Sequence, residues 1–563
     1  MADRPRSARA ASERRPWARR RRGQRALAWL AGLTSAGGVA AREASCDADS
    51  GSCAAPTGTS EGLAWQPRTL SVVLPCANEG DFAKKTIQAV SDSVPGGSGG
   101  DILSDIVVVD DASDPPLSKL LSPKFLKAHH VTLVQHTRTQ GLIVSKSDGA
   151  AAAVGDIVVF FDCHVAPQPG WHAEFLKASA ENYRRVVVPV ITSLNIDTWT
   201  EEGKGMIPGL NKCYLTWDAD FKWMVAEGPE IPVLSGGLLG ISKRWWNETG
   251  GYDSGMRGWG GENIDQSVRT WLCGGEIHGL PNARVAHMWR VPSDPRTQAT
   301  YQVNVMDVLR NRARAARGWF GEFAEKLEHY PDMRYAGNVA PGDLASFREV
   351  QERLRCRPFA WYIWRFGEIY HGAGLLPRET FRVRHVKTSK CLTYLGPGAT
   401  HPQGRDKVAL QPCGTSVARG RKWPNGPPDA QRFHLANWKQ GTSECCSGLR
   451  VWSTDQCTYF MPKNGELGTS VCDLAGRQGA MKVTDGTEGL APGQLMFSYG
   501  SGAQTMSWCV TKAKGGFKGG SCAKLSKDQK KMQRPVWDII EPDVPVETRL
   551  YEKAMEEMPE LFA

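Results

Sequence analysis

The stretch GDIVVFFDCH, Gly155–His164, is the part of the sequence that decides the fold class. Its run of apolar residues, bounded by a glycine and by polar residues, is typical of a buried β-strand. Similar apolar stretches precede it, and the segments between them have helical periodicity. The earlier stretches are LSVVLP (Leu70–Pro75), DIVVVDDAS (Asp105–Ser113) and VTLVQH (Val131–His136). Apolar strands that alternate with helices predict an α/β domain, with a mainly parallel sheet covered by helices on both faces.

Polar side chains follow the fourth strand, at the edge of such a sheet where ligands bind. Asp162 and His164 are two residues apart, so in a strand both side chains leave the same face and can bind one ion. A carboxylate with an imidazole suits Mn²⁺ better than Mg²⁺, which prefers oxygen ligands and keeps its waters. Structural polar residues at a strand end are the alternative interpretation.

Two carboxylates also close the second strand. Asp110 and Asp111 are placed to accept hydrogen bonds from the base or ribose of a nucleoside. The alternative is that they form a turn or a cap, since acidic residues are common in turns.

A further informative segment extends from Ile231 to Arg290 and is dense in Gly and Trp. Core packing does not require the glycines of SGG (235–237) and WGGEN (259–263) at this spacing, whereas glycine lets a backbone approach a ligand closely. The segment ends in ARVAHMWR, which offers His287 as a third metal ligand and Arg290 as a clamp for a diphosphate.

Together these motifs resemble those of the polypeptide N-acetylgalactosaminyltransferases. Those enzymes move GalNAc from UDP-GalNAc to Ser or Thr with retention of configuration, and they begin mucin-type O-glycosylation in the Golgi lumen. The resemblance extends from about Leu70 to Trp361 and continues into a region similar to ricin-type lectins. The motifs that carry it are SVVLPCANE, VVVDDAS, GLIVSKSDGAAAAVGDIVVFFDCHVAPQPGW, SGGLLGISKRWW, YDSGMRGWGGENIDQSVRTWLCGG, RVAHMWR and CRPFAWYI.

The resemblance implies a Rossmann-like, GT-A-type transferase domain followed by an all-β, ricin-type β-trefoil. It also implies Mn²⁺ as cofactor, a UDP-sugar donor, and Ser or Thr of a polypeptide as acceptor. The metal ligands would be Asp162, His164 and His287. The other implied site residues are Asp110, Asp111 and Arg138 near the nucleoside, Gly236 and Gly237 along the donor sugar, Arg290 at the diphosphate, and Trp259, Glu262 and Asn263 in the loop over sugar and acceptor.

Retention in this family is usually explained by front-face attack of the acceptor hydroxyl, with UDP itself helping to remove the proton. Glu262 would then orient sugar or acceptor rather than form a glycosyl intermediate. An acid in the first turn of a helix that starts near Asn263 is the structural alternative, and it is compatible with that role.

Departures from the family pattern concentrate on the uridine side of the site and in a mobile loop, so donor identity and turnover stay open. The alternatives to an active GalNAc transferase are a transferase with another UDP-sugar donor and a catalytically retired secretory protein that binds sugar or protein. The complete metal triad favours an active enzyme, because such ligands decay early once turnover is not needed. The departures are Pro75 and Ala77 for Thr and His, Thr139-Gln140 for Arg-Glu, Val144 and Lys146 for two arginines, and Asp294-Pro295-Arg296 for His-Pro-Tyr.

Charge and cysteine content predict the compartment. The formal charge of +10 is concentrated in the first 25 residues, which hold ten Arg against Asp3 and Glu13. We expect no nucleic-acid partner, because phosphate binding needs the charge on a folded face. Fifteen Cys without a repeated metal-ligand spacing indicate the oxidising secretory pathway.

The N-terminal segment fits that compartment. Ala26–Ala41 is uncharged and weakly apolar, and as a helix it would reach about 24 Å, which suits a thin endomembrane or the core of a signal peptide. Because the Arg-rich flank stays cytosolic, we expect a single-pass type II Golgi membrane protein with a luminal catalytic domain. A secreted protein and a disordered Arg/Ala tail are the alternatives.

Some cysteines before the ricin-like region are expected to form a disulfide, and others are expected to be free thiols. The resemblance implies a bridge between Cys273 and Cys356, whereas Asn282 stands where the family has a Cys of its second bridge. Cys76 and Cys163 are therefore expected to be buried free thiols.

The last third contains three related Cys-containing units, which indicate a β-trefoil. The expected bridges are Cys391–Cys413, Cys457–Cys472 and Cys509–Cys522. Thr393 and Thr511 replace the sugar-binding Asp of the family, so a structural trefoil and a working lectin that binds glycan are both open.

These boundaries predict seven segments along the chain. They are a basic cytosolic tail (1–25), a membrane anchor or signal segment (26–41), a linker (42–66), the catalytic domain (67–330), a closing segment and linker (331–376), the ricin-like domain (377–545) and a C-terminal tail (546–563).

Overall fold

The computed structural model describes most of the chain beyond the N-terminal segments. The described residues are 65–202, 211–291, 293–298, 301–329, 340–395, 405–414, 430–437, 447–454, 456–461, 465–471, 480–487, 489–499, 505–514, 516–524 and 535–562. The predicted tail and anchor, 1–41, lie outside them. Within the described ranges, every helix is too short or too polar to cross a bilayer.

A nine-stranded mixed sheet and its covering helices form the first part of the described chain. The strands are β1 (Leu70–Cys76), β2 (Leu103–Asp110), β3 (Val131–Gln135), β4 (Ile157–Phe160), β5 (Val165–Pro167), β6 (Arg185–Asn195), β7 (Thr200–Glu202), the hairpin β8 (Asn211–Leu215) and β9 (Phe221–Val225) outside the main sheet, β10 (Leu239–Ser242) and β11 (Glu276–His287). The helices are α1 (Asp81–Asp92), α2 (Leu117–Leu120), α3 (Pro123–Ala128), α4 (Leu142–Ala152), α5 (Trp171–Glu181), α6 (Lys243–Thr249), α7 (Glu262–Leu272), α8 (Val305–Trp319), α9 (Ala345–Leu354), α10 (Phe359–Arg365) and α11 (Gly367–Gly372).

The strand order is β3-β2-β1-β4-β10-β6-β11-β5, with β7 paired to β6. β1 to β4 are mutually parallel, and β10 is antiparallel to both of its neighbours. The central strands are buried on both faces, which explains why they are unbroken apolar runs rather than alternating ones. The predicted α/β architecture is therefore confirmed, although the sheet is mixed.

The metal-ligand motif lies after its strand and not in it. β4 ends at Phe160, so the prediction that Asp162 and His164 leave one face of a strand is wrong. The chain turns there into β5, and β5 pairs antiparallel with β11 so that Val165 is opposite His287. This pairing, and not strand alternation, brings the motif beside the third predicted ligand.

The second part of the described chain is built from strands, with one terminal helix. Its strands are β12 (Thr380–His385), β13 (Lys390–Tyr394), β14 (Arg405–Pro412), β15 (Phe433–Asn437), β16 (Ser447–Val451), β17 (Gln456–Met461), β18 (Glu466–Val471), β19 (Ala480–Val483), β20 (Leu495–Tyr499), β21 (Met506–Ala513), β22 (Gly516–Gly520) and β23 (Trp537–Asp543). They enclose an apolar core that includes Val383, Leu392, Phe433 and Trp537. The segment expected to be a C-terminal tail forms helix α12 (Val546–Glu557), and residues such as Ala554 pack into the core of the first part.

Three predicted disulfides are confirmed. They are Cys273–Cys356, Cys391–Cys413 and Cys509–Cys522. Cys457 is disulfide-bonded, and Cys472, its predicted partner, lies outside the described residues.

The prediction of free thiols at Cys76 and Cys163 is wrong, because these residues form a disulfide with Cα atoms 5.3 Å apart. Cys76 ends β1 and Cys163 follows the adjacent parallel strand β4, and the carboxyl ends of such strands meet at one edge of the sheet. Among the described cysteines the free one is Cys213, which is buried.

Candidate active site

A cavity of about 990 Å³ opens at the carboxyl ends of β1, β2 and β4. Sheets of this type bind ligands at that edge, so its position agrees with the predicted site. The walls come from the ends of β1 and β4, the segment between β3 and α4, the loop before α7, and the residues after β11. Its lining includes Glu79, Asp111, Arg138, Asp162, His164, Trp259, His287 and Arg290.

The three predicted metal ligands lie together in this cavity. Ligand atoms of Asp162, His164 and His287 are all within 4.8 Å of one another, and His287 Nε2 is 3.1 Å from Asp162 Oδ2. His164 is buried, and the other two are partly buried. A carboxylate with two imidazoles is a donor set that fits Mn²⁺.

The charges around Asp162 favour its ionised form. Burial alone would raise the pKa of this carboxyl, but the hydrogen bond from His287 and the nearby charges of His287 and Lys146 outweigh burial. The net effect holds the pKa of Asp162 well below its usual value. An ionised carboxylate is the form that ligates a cation.

Glu79 connects two of the predicted residues and was not predicted as part of the site. Its Oε2 lies 3.2 Å from His164 Nδ1, and its Oε1 lies 3.3 Å from Arg290 Nη2. A carboxylate beside a ligating imidazole fixes the orientation of the ring. The signal in the sequence was the position of Glu79, three residues after the end of the first strand.

The neighbouring carboxylates Asp110 and Asp111 have different surroundings. Asp110 accepts hydrogen bonds from the backbone N–H groups of Ser113 (3.0 Å) and Leu117 (2.8 Å), and it does not line the cavity. Asp111 lines the cavity and accepts hydrogen bonds from the backbone of Gln140 (2.7 Å) and Gly141 (2.8 Å). The turn interpretation thus describes the contacts of Asp110, and the ligand interpretation suits the position of Asp111.

His136 extends the arrangement around Asp111. Its Nδ1 is 2.8 Å from Asp111 Oδ1, and its Nε2 is 3.0 Å from Asp148 Oδ2. Asp111 therefore receives three hydrogen-bonding contacts that fix its carboxylate against the segment that carries Arg138.

The two predicted glycines lie against the other site residues. A Cβ atom at Gly237 would be 3.0 Å from Asp162 Oδ2, and one at Gly236 would be 3.1 Å from Asn263 Cβ. Gly236 also has a φ of +98°, a conformation that side-chain-bearing residues rarely adopt. Larger residues would displace the metal-ligand region and the start of α7.

The predicted catalytic loop residues occupy distinct positions. Trp259 is exposed at the rim of the cavity. Asn263 donates a hydrogen bond of 2.8 Å from its side chain to Leu234 O, which connects α7 to the segment before the two glycines. Glu262 is buried in the first turn of α7, and one of its carboxylate oxygens has no hydrogen-bond partner among the described residues. Burial raises the pKa of Glu262, and the charge of Lys146 opposes that shift.

Comparisons with known proteins agree with this geometry. The family described as "Glycosyl transferase family 2" matches residues 71–249, and the family described as "N-terminal domain of galactosyltransferase" matches residues 229–291. Polypeptide N-acetylgalactosaminyltransferase 4 of Mus musculus is 30% identical over 347 residues, which are 58% of this chain and 57% of that protein. Polypeptide N-acetylgalactosaminyltransferase 8 of Drosophila melanogaster is 31% identical over 280 residues, which are 46% of this chain and 45% of that protein.

The chain is similar to the polypeptide N-acetylgalactosaminyltransferases. It spans about half the length of the curated relatives named above. Among solved structures, it is similar to the crystal structure of GalNAc-T7 with UDP, GalNAc and Mn²⁺, with a TM-score of 0.54 and 21% identity over 84% of this chain and 82% of that one. This likeness shows a glycosyltransferase GT-A-like fold.

Several of the departures from the pattern of these enzymes fall at the site itself. Pro75, Ala77, Thr139 and Val144 all line the main cavity. Lys146, by contrast, is fully buried behind it and donates a hydrogen bond of 2.5 Å to Gly236 O. The three predicted metal ligands therefore match the pattern of these enzymes, whereas other residues of the cavity lining do not.

A second cavity, of about 270 Å³, adjoins the first. Trp289, two residues after His287, lines both cavities. The smaller cavity is lined mainly by apolar side chains of β6 and of the segment before the two glycines, and Trp223 stands exposed at its edge. No single stretch of the sequence indicates this cavity, because its lining comes from four separate parts of the chain.

Proposed function

We propose that the protein is a Mn²⁺-dependent retaining glycosyltransferase that moves GalNAc from UDP-GalNAc to Ser or Thr of secretory proteins. The observation that carries the proposal is the meeting of Asp162, His164 and His287 in a cavity that Asp111 and Arg290 also line. A metal triad between a nucleoside-side carboxylate and a guanidinium suits a nucleoside-diphosphate sugar.

The triad would hold Mn²⁺, which when bound supplies Lewis-acid stabilisation of the negative charge that develops on the leaving diphosphate. The carboxylate of Glu79 lies beside the ring of His164, and it also contacts Arg290. Arg290 is thereby directed at the same charge, where a fixed cation stabilises the transition state more than the ground state.

The remaining site residues bind the donor and orient the sugar or the acceptor hydroxyl. Asp111 and Arg138 contact the nucleoside, and Gly236 and Gly237 let the donor sugar lie against the backbone. Glu262, at the start of α7, orients the sugar or the acceptor hydroxyl, and UDP itself accepts the proton. No protein nucleophile is needed for this course of reaction.

The acceptor is proposed to be an extended polypeptide at the mouth of both cavities. Trp259 and Trp289 line the larger cavity, and Trp223 and Trp289 line the smaller one. All three are exposed, with 51% of Trp223, 45% of Trp259 and 39% of Trp289 accessible. Exposed indole rings clustered beside an apolar cavity are typical of a binding surface rather than of a solvated face.

A second candidate is a transferase with another UDP-sugar donor. It is supported by Pro75, Ala77, Thr139 and Val144, which line the cavity where the family has polar or charged side chains. The donor is therefore left to be decided by assay among UDP-GalNAc, UDP-GlcNAc and UDP-Gal.

We further propose that residues 377–545 form a ricin-like β-trefoil with a structural role and that Ala26–Ala41 anchors the protein in the Golgi membrane. The protein should then stay with membranes in high salt and resist protease in sealed vesicles. Recovery of a secreted product that begins near Arg42 would instead establish a cleaved signal.

The test of the proposed activity uses residues 42–563 with each of the three donors, a Thr-rich peptide, and either Mn²⁺ or a chelator. Transfer of a single HexNAc from UDP-GalNAc, dependent on Mn²⁺ and lost in Asp162→Ala, is the expected result. Transfer from UDP-GlcNAc or UDP-Gal alone would select the second candidate. No transfer from any donor, with peptide binding retained, would point to a retired enzyme.

A further inference from the structure

The disulfide between Cys76 and Cys163 lies inside the metal-ligand motif. Cys163 stands between Asp162 and His164, so its backbone is continuous with both ligands. Both cysteines are 1% exposed, and both line the main cavity.

The bridge is found where the strand pairing between β1 and β4 has ended. The parallel register covers Leu70–Val73 and Ile157–Phe160, and the next contact is a hydrogen bond of 3.1 Å from Phe161 N to Val73 O. Beyond that point, the disulfide rather than hydrogen bonds between strands holds the end of β1 to the segment that follows β4.

The segment after Cys76 makes a second contact with the same motif. Glu79, three residues further on, lies 3.2 Å from His164 Nδ1. On the far side, the motif is attached to β11 through a hydrogen bond of 3.1 Å from Met288 N to His164 O. The ligands are thus held between β11 on one side and the end of β1 on the other.

We propose that Cys76 and Cys163 are positioning residues for the metal site, and that their disulfide pre-orders Asp162 and His164 for tight binding of a divalent cation. Fixing ligand geometry before the ion arrives lowers the ordering cost of binding, and supporting contacts of this kind typically change metal affinity by about 10 to 100-fold. The proposal rests on the proposed function only in taking Mn²⁺ as the ion.

Reduction of the bridge would then weaken metal binding reversibly. A dithiol supplies two electrons and two protons, the S–S bond becomes two thiols, and the dithiol becomes a disulfide. The freed motif keeps its contact with β11 but loses its covalent attachment to β1.

The experiment measures Mn²⁺ binding to the full chain without donor or acceptor, by the electron paramagnetic resonance signal of free Mn²⁺. The test variant is Cys76→Ser/Cys163→Ser, and Cys273→Ser/Cys356→Ser is the control. The two bridges close loops of similar length, 87 and 83 residues apart in sequence, so both variants lose a comparable chain restraint. We expect at least tenfold weaker Mn²⁺ binding in the test variant and an unchanged affinity in the control.

Because a variant of a buried bridge can fail to fold, the wild-type protein is also titrated with a dithiol. Differential alkylation and mass spectrometry report which bridge has opened, with the buried free thiol of Cys213 as an internal reference for folded protein. Mn²⁺ affinity should fall in step with the alkylated fraction of Cys163.

Unchanged Mn²⁺ affinity in folded protein that lacks the Cys76–Cys163 bridge would overturn the proposal. Equal losses in the test and control variants would do so as well, because they would mark a general effect of destabilisation. Metal binding is read without transfer, so these outcomes are distinct from a failure of the proposed activity.

Discussion

The side-chain ammonium of Lys146 donates a hydrogen bond of 2.5 Å to the carbonyl oxygen of Gly236, and no part of Lys146 is exposed. Burial lowers the pKa of Lys146, while the charges of Asp162 and Glu262 raise it. This lysine therefore holds the segment of Gly236 and places a cation near the carboxylates of Asp162 and Glu262.

Replacement of Lys146 by Met is expected to lower the free energy of unfolding by about 3–5 kcal/mol, because it leaves buried carboxylates without their cation. UDP-sugar affinity should fall as well, since Gly236 loses its hydrogen bond. Urea unfolding and calorimetry with UDP-GalNAc measure the two effects. Lys119→Met, at an exposed lysine of α2, should change neither, and a Lys146→Met protein as stable as wild type would contradict the interpretation.

Metal-ligand variants should lose donor binding and transfer together, since the ion connects protein and diphosphate. Asp162→Ala should lose more than His164→Ala, because it removes a charge as well as a ligand. UDP affinity is measured with and without Mn²⁺, alongside peptide glycosylation. If the His287→Ala protein binds UDP and Mn²⁺ like wild type, the triad is wrong.

Glu262→Gln should behave differently from those variants. Its proposed contacts are with sugar and acceptor, so UDP affinity in Mn²⁺ should survive while transfer falls. The same titrations decide the point. Loss of UDP binding in Glu262→Gln, to the degree seen in Asp162→Ala, would place this carboxylate at the diphosphate instead.

How far the sequence could predict this site depends on the kind of signal each residue leaves. Asp162, His164 and His287 stand in contiguous motifs whose residue types match a metal site, so they were found, although the strand geometry used to pair the first two was wrong. Glu79 and Lys146 do not stand in a motif typical of a metal site, and their contacts are with residues 85 or more positions away, so their partners could not be predicted.

The Cys76–Cys163 bridge was missed for a related reason. Nothing in a sequence separation of 87 residues indicates that two cysteines meet, and only the adjacency of β1 and β4 in the folded sheet brings them together. The strand cores, by contrast, were predictable because burial on both faces requires unbroken apolar runs. Their ends were not, since turns after a strand are set by tertiary contacts.

The two parts of the chain are joined by a buried ion pair whose strength can be measured. Lys326 Nζ lies 3.0 Å from Glu547 Oε1 of α12, and both side chains are almost fully buried. Lys326→Met and Glu547→Gln should each lower the free energy of unfolding by about 3–5 kcal/mol, because each removes one charge of a buried ion pair. The double variant should lose clearly less than the sum.

The control for that double-mutant cycle is an ion pair at the surface between α12 and the same short helix, Gly321–His329. Lys553 of α12 lies 3.4 Å from Glu322, and both are largely exposed. Lys553→Met should therefore have little effect on urea unfolding. Strict additivity of the Lys326 and Glu547 variants would show that the buried pair is not coupled.

The last prediction concerns sugar binding by the all-β part. Thr393, which stands where the family has its sugar-binding Asp, is fully buried and is held by internal hydrogen bonds of 3.0 Å: it donates to Cys391 O and accepts from Gln431 Nε2. A side chain committed in this way cannot contact a ligand, so the full chain should bind free GalNAc weakly or not at all by calorimetry, with donor-site binding blocked by saturating UDP and Mn²⁺. Thr393→Asp should lower stability by about 1–3 kcal/mol, because it buries a carboxylate, and should not create sugar binding. Millimolar or tighter GalNAc binding that survives in Thr393→Asp would show that another unit of this part of the chain carries a working sugar site.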